Sequence, residues 1–234
     1  MTSKIEWLRS ADGRPGYTIN PVRGRCPNPD CPLGESCYAR RLYKRFKWNP
    51  EIRFDLAVAN ALAKIKKPSR IFWGSTMELF GDWINPEWMR LIMEATKRHS
   101  EHTHIFLTKQ PQNLIKWSPF PDNYWVGVSA TNNQMYREAI YNLAHIKAKV
   151  KYISFEPLLE NIKVNTFNDF INWVIIGACT PYSVKTAPKI EWVREIVEAA
   201  DKAEIPVFQK NNLRTLLGDN LRQEFPAPTK GESE

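Results

Sequence analysis

Three of the chain's four cysteines, Cys26, Cys31 and Cys37, fall within the segment GRCPNPDCPLGESCYARR at 24–41. Three thiols cannot close into a complete set of disulfides, but three thiolates make a ligand set. The spacing is C-x4-C-x5-C, and the prolines and glycine between the cysteines let the backbone fold back and aim the sulfurs inward. Thiolates are soft ligands that suit zinc or an iron–sulfur cluster. Structural zinc normally takes four ligands. No fourth is supplied nearby: His99, His102, His104, His145 and Cys179 all lie far along the chain. A 4Fe–4S cluster on three cysteines leaves one iron open to a non-protein ligand. Spacing alone rates zinc and cluster equally, with cysteines that bind nothing as the remaining alternative.

The elements that position these residues follow a regular rhythm. Short apolar runs occur at 17–22, 70–75, 104–109, 124–129, 150–156, 173–178 and 205–210. Most are continuous rather than alternating, which fits strands buried on both faces of a parallel sheet. Between them, residues 54–65, 86–99, 135–146 and 190–203 read as amphipathic helices. Pro86 suits a first helical position, and Lys97, Arg98 and His99 suit a helix end. Alternating βα units over about 210 residues predict an α/β fold, a partial or complete (β/α) barrel of parallel strands, with an open doubly wound sheet as the alternative.

A barrel places its chemistry at the C-terminal ends of its strands. Those ends carry Ser75, Thr76 and Glu78, then Lys109, Ser129, Glu156, Cys179, Thr180, Gln209 and Lys210. Cys179 reads as a small free thiol near the pocket. Its use as a nucleophile needs a base, and no histidine lies close to it in sequence.

Composition bounds the rest. The chain has 234 residues, 43% of them apolar, enough for one sizeable core, read as a single domain over 5–225 with a disordered tail over 226–234. The opening MTSKIEWLRS lacks the apolar core of a secretion signal, and no run approaches the roughly 18 apolar residues of a membrane span. A cytoplasmic location without a membrane is therefore expected, where thiols stay reduced. The net charge of +8 favours an anionic partner, a nucleic acid or a phosphorylated metabolite. Arg40, Arg41, Lys44, Arg45 and Lys47 follow directly on the cysteine loop. Trp48, Trp73, Trp83, Trp88, Trp117 and Trp125 include candidates for stacking on bases, although core packing is the commoner use.

Eight motifs in order, KIEW, CYARR, WGSTMELF, FLTKQPQNL, WVGVSATNN, ISFEPLL, WVIIGA and PVFQK, resemble the phage "gene product 37/68" family, a domain of unknown function. The resemblance runs from Ile5 to about Phe225. That family is similar to a divergent branch of the radical S-adenosylmethionine barrels. Cys26, Cys37 and the CYA step match its cysteine loop, while Cys31 is displaced toward Cys26 and GACTP replaces a Gly-Gly-Glu-Ser-like stretch. The superfamily's usual C-x3-C-x2-C spacing is also absent.

The resemblance implies a 4Fe–4S cluster on Cys26, Cys31 and Cys37, with S-adenosylmethionine on its open iron. It places the cofactor's ammonium near Ser75, Thr76 and Glu78, its carboxylate near Lys109, and ribose or substrate near Ser129 or Glu156. It implies a radical enzyme that draws an electron from an external donor and acts on nucleic acid or a nucleotide, in repair or modification. The competing expectation is a zinc-containing nucleic-acid-binding phage protein without catalysis.

Overall fold

The computed structural model describes residues 2–10, 12–29 and 31–227. The expected tail at 226–234 lies outside the described residues from 228 onward. The chain divides into two compact units, Met1–Asn113 and Leu114–Ala227. Among the described residues no helix is long and apolar enough to cross a membrane.

In the first unit, β1 (Tyr17–Ile19) leads into the two-residue strand β2 (Val22–Arg23). The cysteine loop and helix α1 (Tyr38–Phe46) follow, and β3 (Arg53–Phe54) returns antiparallel to β2. A short helix α2 (Leu56–Ala59) continues as a 3-10 stretch, Asn60–Lys64. Next come β4 (Arg70–Trp73), α3 (Pro86–Arg98) and β5 (Thr103–Thr108). β1, β4 and β5 pair in parallel, with Ile19 beside Trp73 and Phe72 beside Ile105.

α3 forms as its sequence requires. Pro86 occupies the first turn, the Asn85 side chain accepts from the Glu87 amide at 2.9 Å, and Lys97 and Arg98 close the last turn. Met89, Ile92, Ala95 and Thr96 form its buried face. A fully buried side chain such as Met89 or Ile92 contributes roughly 1.5–3 kcal/mol.

The helix expected over 54–65 is cut short from its N-terminal side. Phe54 pairs with Val22, and Asp55 forms an ion pair with Arg23, so this stretch belongs to the β2–β3 hairpin. Helix begins only after Asp55, whose carboxylate accepts from the Val58 amide at 3.2 Å.

In the second unit, β6 (Tyr124–Ser129), α4 (Asn133–Ala144), β7 (Val150–Phe155) and β8 (Trp173–Ile176) follow in order. α5 (Ile190–Lys202), β9 (Val207–Gln209) and the one-turn α6 (Arg214–Leu217) complete it. The four strands pair in parallel in chain order. They are buried throughout, and one face carries an aromatic layer in which Trp125, Tyr152 and Phe208 all pack on Trp173 at 5.4–6.1 Å.

The fold class is thus α/β, with sequential parallel strands as in part of a (β/α) barrel. Most strands end one to three residues before the apolar runs do, because the last residues of each run leave the ladder to build loops.

Candidate functional site

The cysteine loop is anchored at both ends. At its start, the Gly24 amide donates to the Tyr43 hydroxyl of α1 at 2.7 Å. At its end, Cys37 is the residue before α1, and its carbonyl accepts from the Arg41 amide at 3.0 Å. Arg40 reaches back from α1 and donates to the Cys26 carbonyl at 3.2 Å and the Asn28 carbonyl at 2.9 Å. Asn28 is buried, and its side-chain oxygen faces the buried Gln110 amide at 3.5 Å, so the loop also docks beyond the end of β5.

All three thiols are free and half-buried. Burial pushes the Cys26 thiol above its usual range, and the charges of Glu78 and Cys31 act in the same direction. Opposing them, the amides of Asn28 and Glu78 donate to its sulfur. Zn–S bonds of about 2.3 Å put the sulfurs of a tetrahedral site about 3.8 Å apart. The Cys26, Cys31 and Cys37 sulfurs do not all lie within 4.8 Å of one another, so the loop is not closed around a single ion. A cluster places each thiolate on its own iron and needs a wider set. The donor type, thiolate, suits such a group, while the three thiols show no clear cluster-binding arrangement.

The turn after β4 carries the next residues. Gly74 has φ of 75°, and a Cβ there would meet the Leu79 side chain at 2.5 Å, so only glycine begins this turn without strain. Asn20, just past β1, accepts from the Ser75 hydroxyl at 3.1 Å and the Thr76 amide at 3.2 Å. The Tyr38 hydroxyl donates to the Ser75 carbonyl. The Glu78 carboxylate is fixed by three neutral donors: the Thr108 hydroxyl at 2.6 Å, the Lys109 amide at 2.7 Å and the Phe80 amide at 3.2 Å. The first unit therefore brings Ser75, Thr76, Glu78 and Lys109 together, with Cys26 beside Glu78.

Ser129 and Glu156 belong to the second unit. Phe155, Ile176 and Gln209 end β7, β8 and β9 in register, so the next residues, Glu156, Gly177 and Lys210, form a row. Strands two apart are separated by about 9–10 Å. The Lys210 ammonium nevertheless donates to the Glu156 carboxylate. The residue between them permits it, since a Cβ on Gly177 would lie 3.0 Å from Lys210 Cδ and 3.3 Å from Glu156 Cγ. Asn212 braces the row, accepting from the Ala178 amide at 3.1 Å and donating to its carbonyl at 2.8 Å. One layer deeper, Ser129 and Ser154 are in register and buried, and among the described residues the Ser154 hydroxyl has no hydrogen-bond partner. Cys179 is half-buried and free beside Asn212 and Thr180.

A family model matches residues 2–215 and is described as "Protein of unknown function (DUF5131)". The chain belongs to the DUF5131 family. No curated protein and no solved structure matches it.

In this DUF5131 chain His99 and His102 sit in the turn from α3 to β5, His104 lies in β5, and His145 follows α4. His99, Glu101 and His102 offer ligand atoms all within 4.8 Å of one another, with Glu101 Oε1 at 3.2 Å from His99 Nδ1 and 3.5 Å from His102 Nε2. His104 is a core residue. Its Nδ1 accepts from the Trp73 indole at 3.2 Å, and its Nε2 faces the Thr96 and His99 carbonyls at 3.1 and 3.0 Å. Burial pushes its pKa down to about 4.

Sequence reasoning does not single out Asn20, Asn28, Thr108, Gln110, Gly177, Asn212 or Ser154. All but Ser154 act through neighbours distant in sequence, so local sequence carries little signal for them.

Proposed function

We propose that this protein is an iron–sulfur enzyme of the radical S-adenosylmethionine type, acting on nucleic acid or a nucleotide in repair or modification. The resemblance to the phage "gene product 37/68" family and its radical-barrel relatives belongs to this reading. The observation that carries it is the anchored loop of three free thiols. They stand on a loop anchored at both ends, beside a carboxylate whose donors are a hydroxyl and backbone amides.

When bound, the cluster and S-adenosylmethionine supply one-electron reduction and a carbon–sulfur bond to break, with the electron coming from an external donor. The chain's own residues bind and orient. Cys26, Cys31 and Cys37 are the cluster ligands. The amides of Asn28 and Glu78 stabilise thiolate at Cys26 against the burial that favours its protonated form. Glu78 holds the cofactor's ammonium in the turn formed by Ser75 and Thr76, and Lys109 holds its carboxylate. A reducing compartment such as the cytoplasm suits the free thiols.

The test is anaerobic reconstitution with iron and sulfide, followed by reduction in the presence of S-adenosylmethionine. The expected result is brown protein with about four irons per chain and release of 5′-deoxyadenosine. Cys31→Ala should abolish that release. Colourless protein holding one zinc would overturn the proposal.

A further inference from the structure

α1 carries a surface that its packing does not explain. From Tyr38 to Pro50 the chain has five basic residues and no acidic one. Arg41, Lys44, Arg45 and Lys47 are exposed, and Arg41, Lys44 and Arg45 share one helix face by their spacing. Basic residues here complement the helix C-terminus, which accounts for Lys44 and Arg45 alone. It does not account for two large rings held in water beside them. Phe46 is 52% exposed and Trp48 46%.

The rings are arranged by the backbone. Lys47 adopts the left-handed conformation at φ 49°, and the Trp48 amide returns to the Tyr43 carbonyl at 3.2 Å. This turn lays Trp48 on Phe46, with centroids 5.3 Å apart and planes at 21°. Tyr43 braces Trp48 edge-on at 5.3 Å, and the Arg45 guanidinium lies 5.3 Å from the Phe46 centroid.

We propose that residues 41–48 form a binding platform for single-stranded nucleic acid, with bases stacking on the Phe46–Trp48 pair and phosphates meeting Arg41, Lys44, Arg45 and Lys47. The inference deepens the proposed function and rests on its reading of nucleic acid as substrate. Two features set the class of ligand. The charge complements a phosphate backbone. The exposed ring faces suit unpaired bases, whose faces are open, whereas a duplex buries its base faces in its own stack. The platform begins four residues after Cys37, so a strand held there is delivered to the cysteine loop within the same unit.

The experiment is fluorescence anisotropy of a labelled mixed-sequence 12-mer, as single-stranded DNA, single-stranded RNA and duplex DNA, on the full-length protein. Single strands should bind at least tenfold tighter than the duplex and quench Trp48. Phe46→Ala/Trp48→Ala should weaken single-strand binding about 10- to 100-fold, with Trp48→Phe restoring most of it. Lys44→Ala/Arg45→Ala/Lys47→Ala should flatten the log Kd against log salt slope by about 2, at roughly 0.7 per phosphate. Equal affinity for duplex and single strand, or ring variants that bind as the parent does, would overturn the platform. Binding is read without iron, and the ring variants should still release 5′-deoxyadenosine after reconstitution. Failure of the platform is thereby separated from failure of the radical-enzyme reading.

Discussion

Glu78 and Glu156 both lie just past the ends of parallel strands, one in each unit, yet they are held in opposite ways. Glu78 accepts from a hydroxyl and two backbone amides, none of which carries a charge. Glu156 is joined to Lys210, and the pair cancels. The same contrast extends below each site. Under the first, a neutral histidine, His104, is satisfied by an indole and two carbonyls. Under the second, Glu156 and Lys210 close on each other above an aromatic layer. A carboxylate fixed by neutral donors is positioned and still able to attract a cation. A carboxylate fixed by a lysine is positioned but already neutralised. On the proposed reading the first carboxylate meets a charged ligand, whereas the second is held in a pair that braces its strands.

The largest expected effect tests the neutral solution in the first unit. His104 has a folded pKa near 4 against an ordinary value of 6.5, so between those pH values the unfolded chain binds more protons than the folded one. Stability then falls as pH drops from about 6.5 to about 4 and levels off below, by about 3 kcal/mol in all. Burial lowers His102 in the same direction. Urea unfolding at pH 7 and pH 4.5 measures the loss, and NMR titration of the His104 ring should show no protonation above pH 5. A ring that titrates near 6.5 would show that the buried hydrogen bonds do not keep His104 neutral.

The ion pair comes next. Its side chains are 13% and 23% exposed, for Lys210 and Glu156 respectively, so most of the screening of a surface pair is absent. Lys210→Met should cost about 2–3 kcal/mol by leaving the carboxylate without its countercharge. Lys210→Met/Glu156→Gln should recover most of that, because the penalty lies in the stranded charge rather than in a large net benefit of the pair. No recovery in the double variant would mean that the pair itself carries the stability, and the contrast between the units would weaken.

Gly177→Ala probes the geometry that lets the pair form. Its new methyl would sit 3.0 Å from Lys210 Cδ and 3.3 Å from Glu156 Cγ, so both stems must shift by tenths of an ångström. A cost of about 1–2 kcal/mol is expected from this overpacking. In the Lys210→Met/Glu156→Gln background, where the methyl no longer disturbs an ion pair, the cost should shrink.

These contrasts also mark what the sequence reveals. The runs that became β4 and β8 are legible because continuous apolar residues buried on both faces leave no ambiguity of period. α3 is legible from Asn85, Pro86 and its basic end, all of them local signals. The helix over 54–65 misleads because Phe54 and Asp55 answer to Val22 and Arg23, about thirty positions earlier. At the candidate site, the cysteines declare themselves by residue type. Glu78 and Glu156 look alike in sequence, each a lone acid after an apolar run. What separates them is Thr108, thirty positions from Glu78, and Lys210, fifty-four from Glu156, and such pairings depend on strand register.

The smallest effect on stability is expected where the functional claim is strongest. In Glu78→Gln the amide oxygen can accept from the Lys109 amide, and its NH2 group can donate to Thr108 Oγ1 once that hydroxyl turns. Only the 3.2 Å bond from the Phe80 amide is then lost. The cost should be about 1 kcal/mol or less, against about 2–3 kcal/mol for Glu156→Gln, which removes the carboxylate charge paired with Lys210. The change nevertheless removes a carboxylate whose hydrogen-bond donors are all neutral. Glu78→Gln should fold and take up iron as the parent does, yet bind S-adenosylmethionine at least tenfold more weakly by calorimetry, because an ammonium loses its counterion while all but one of the neighbouring contacts stay in place. Equal binding by the parent and the variant would show that the free charge of Glu78 serves the fold after all, and the distinction between the two carboxylates would be one of geometry alone.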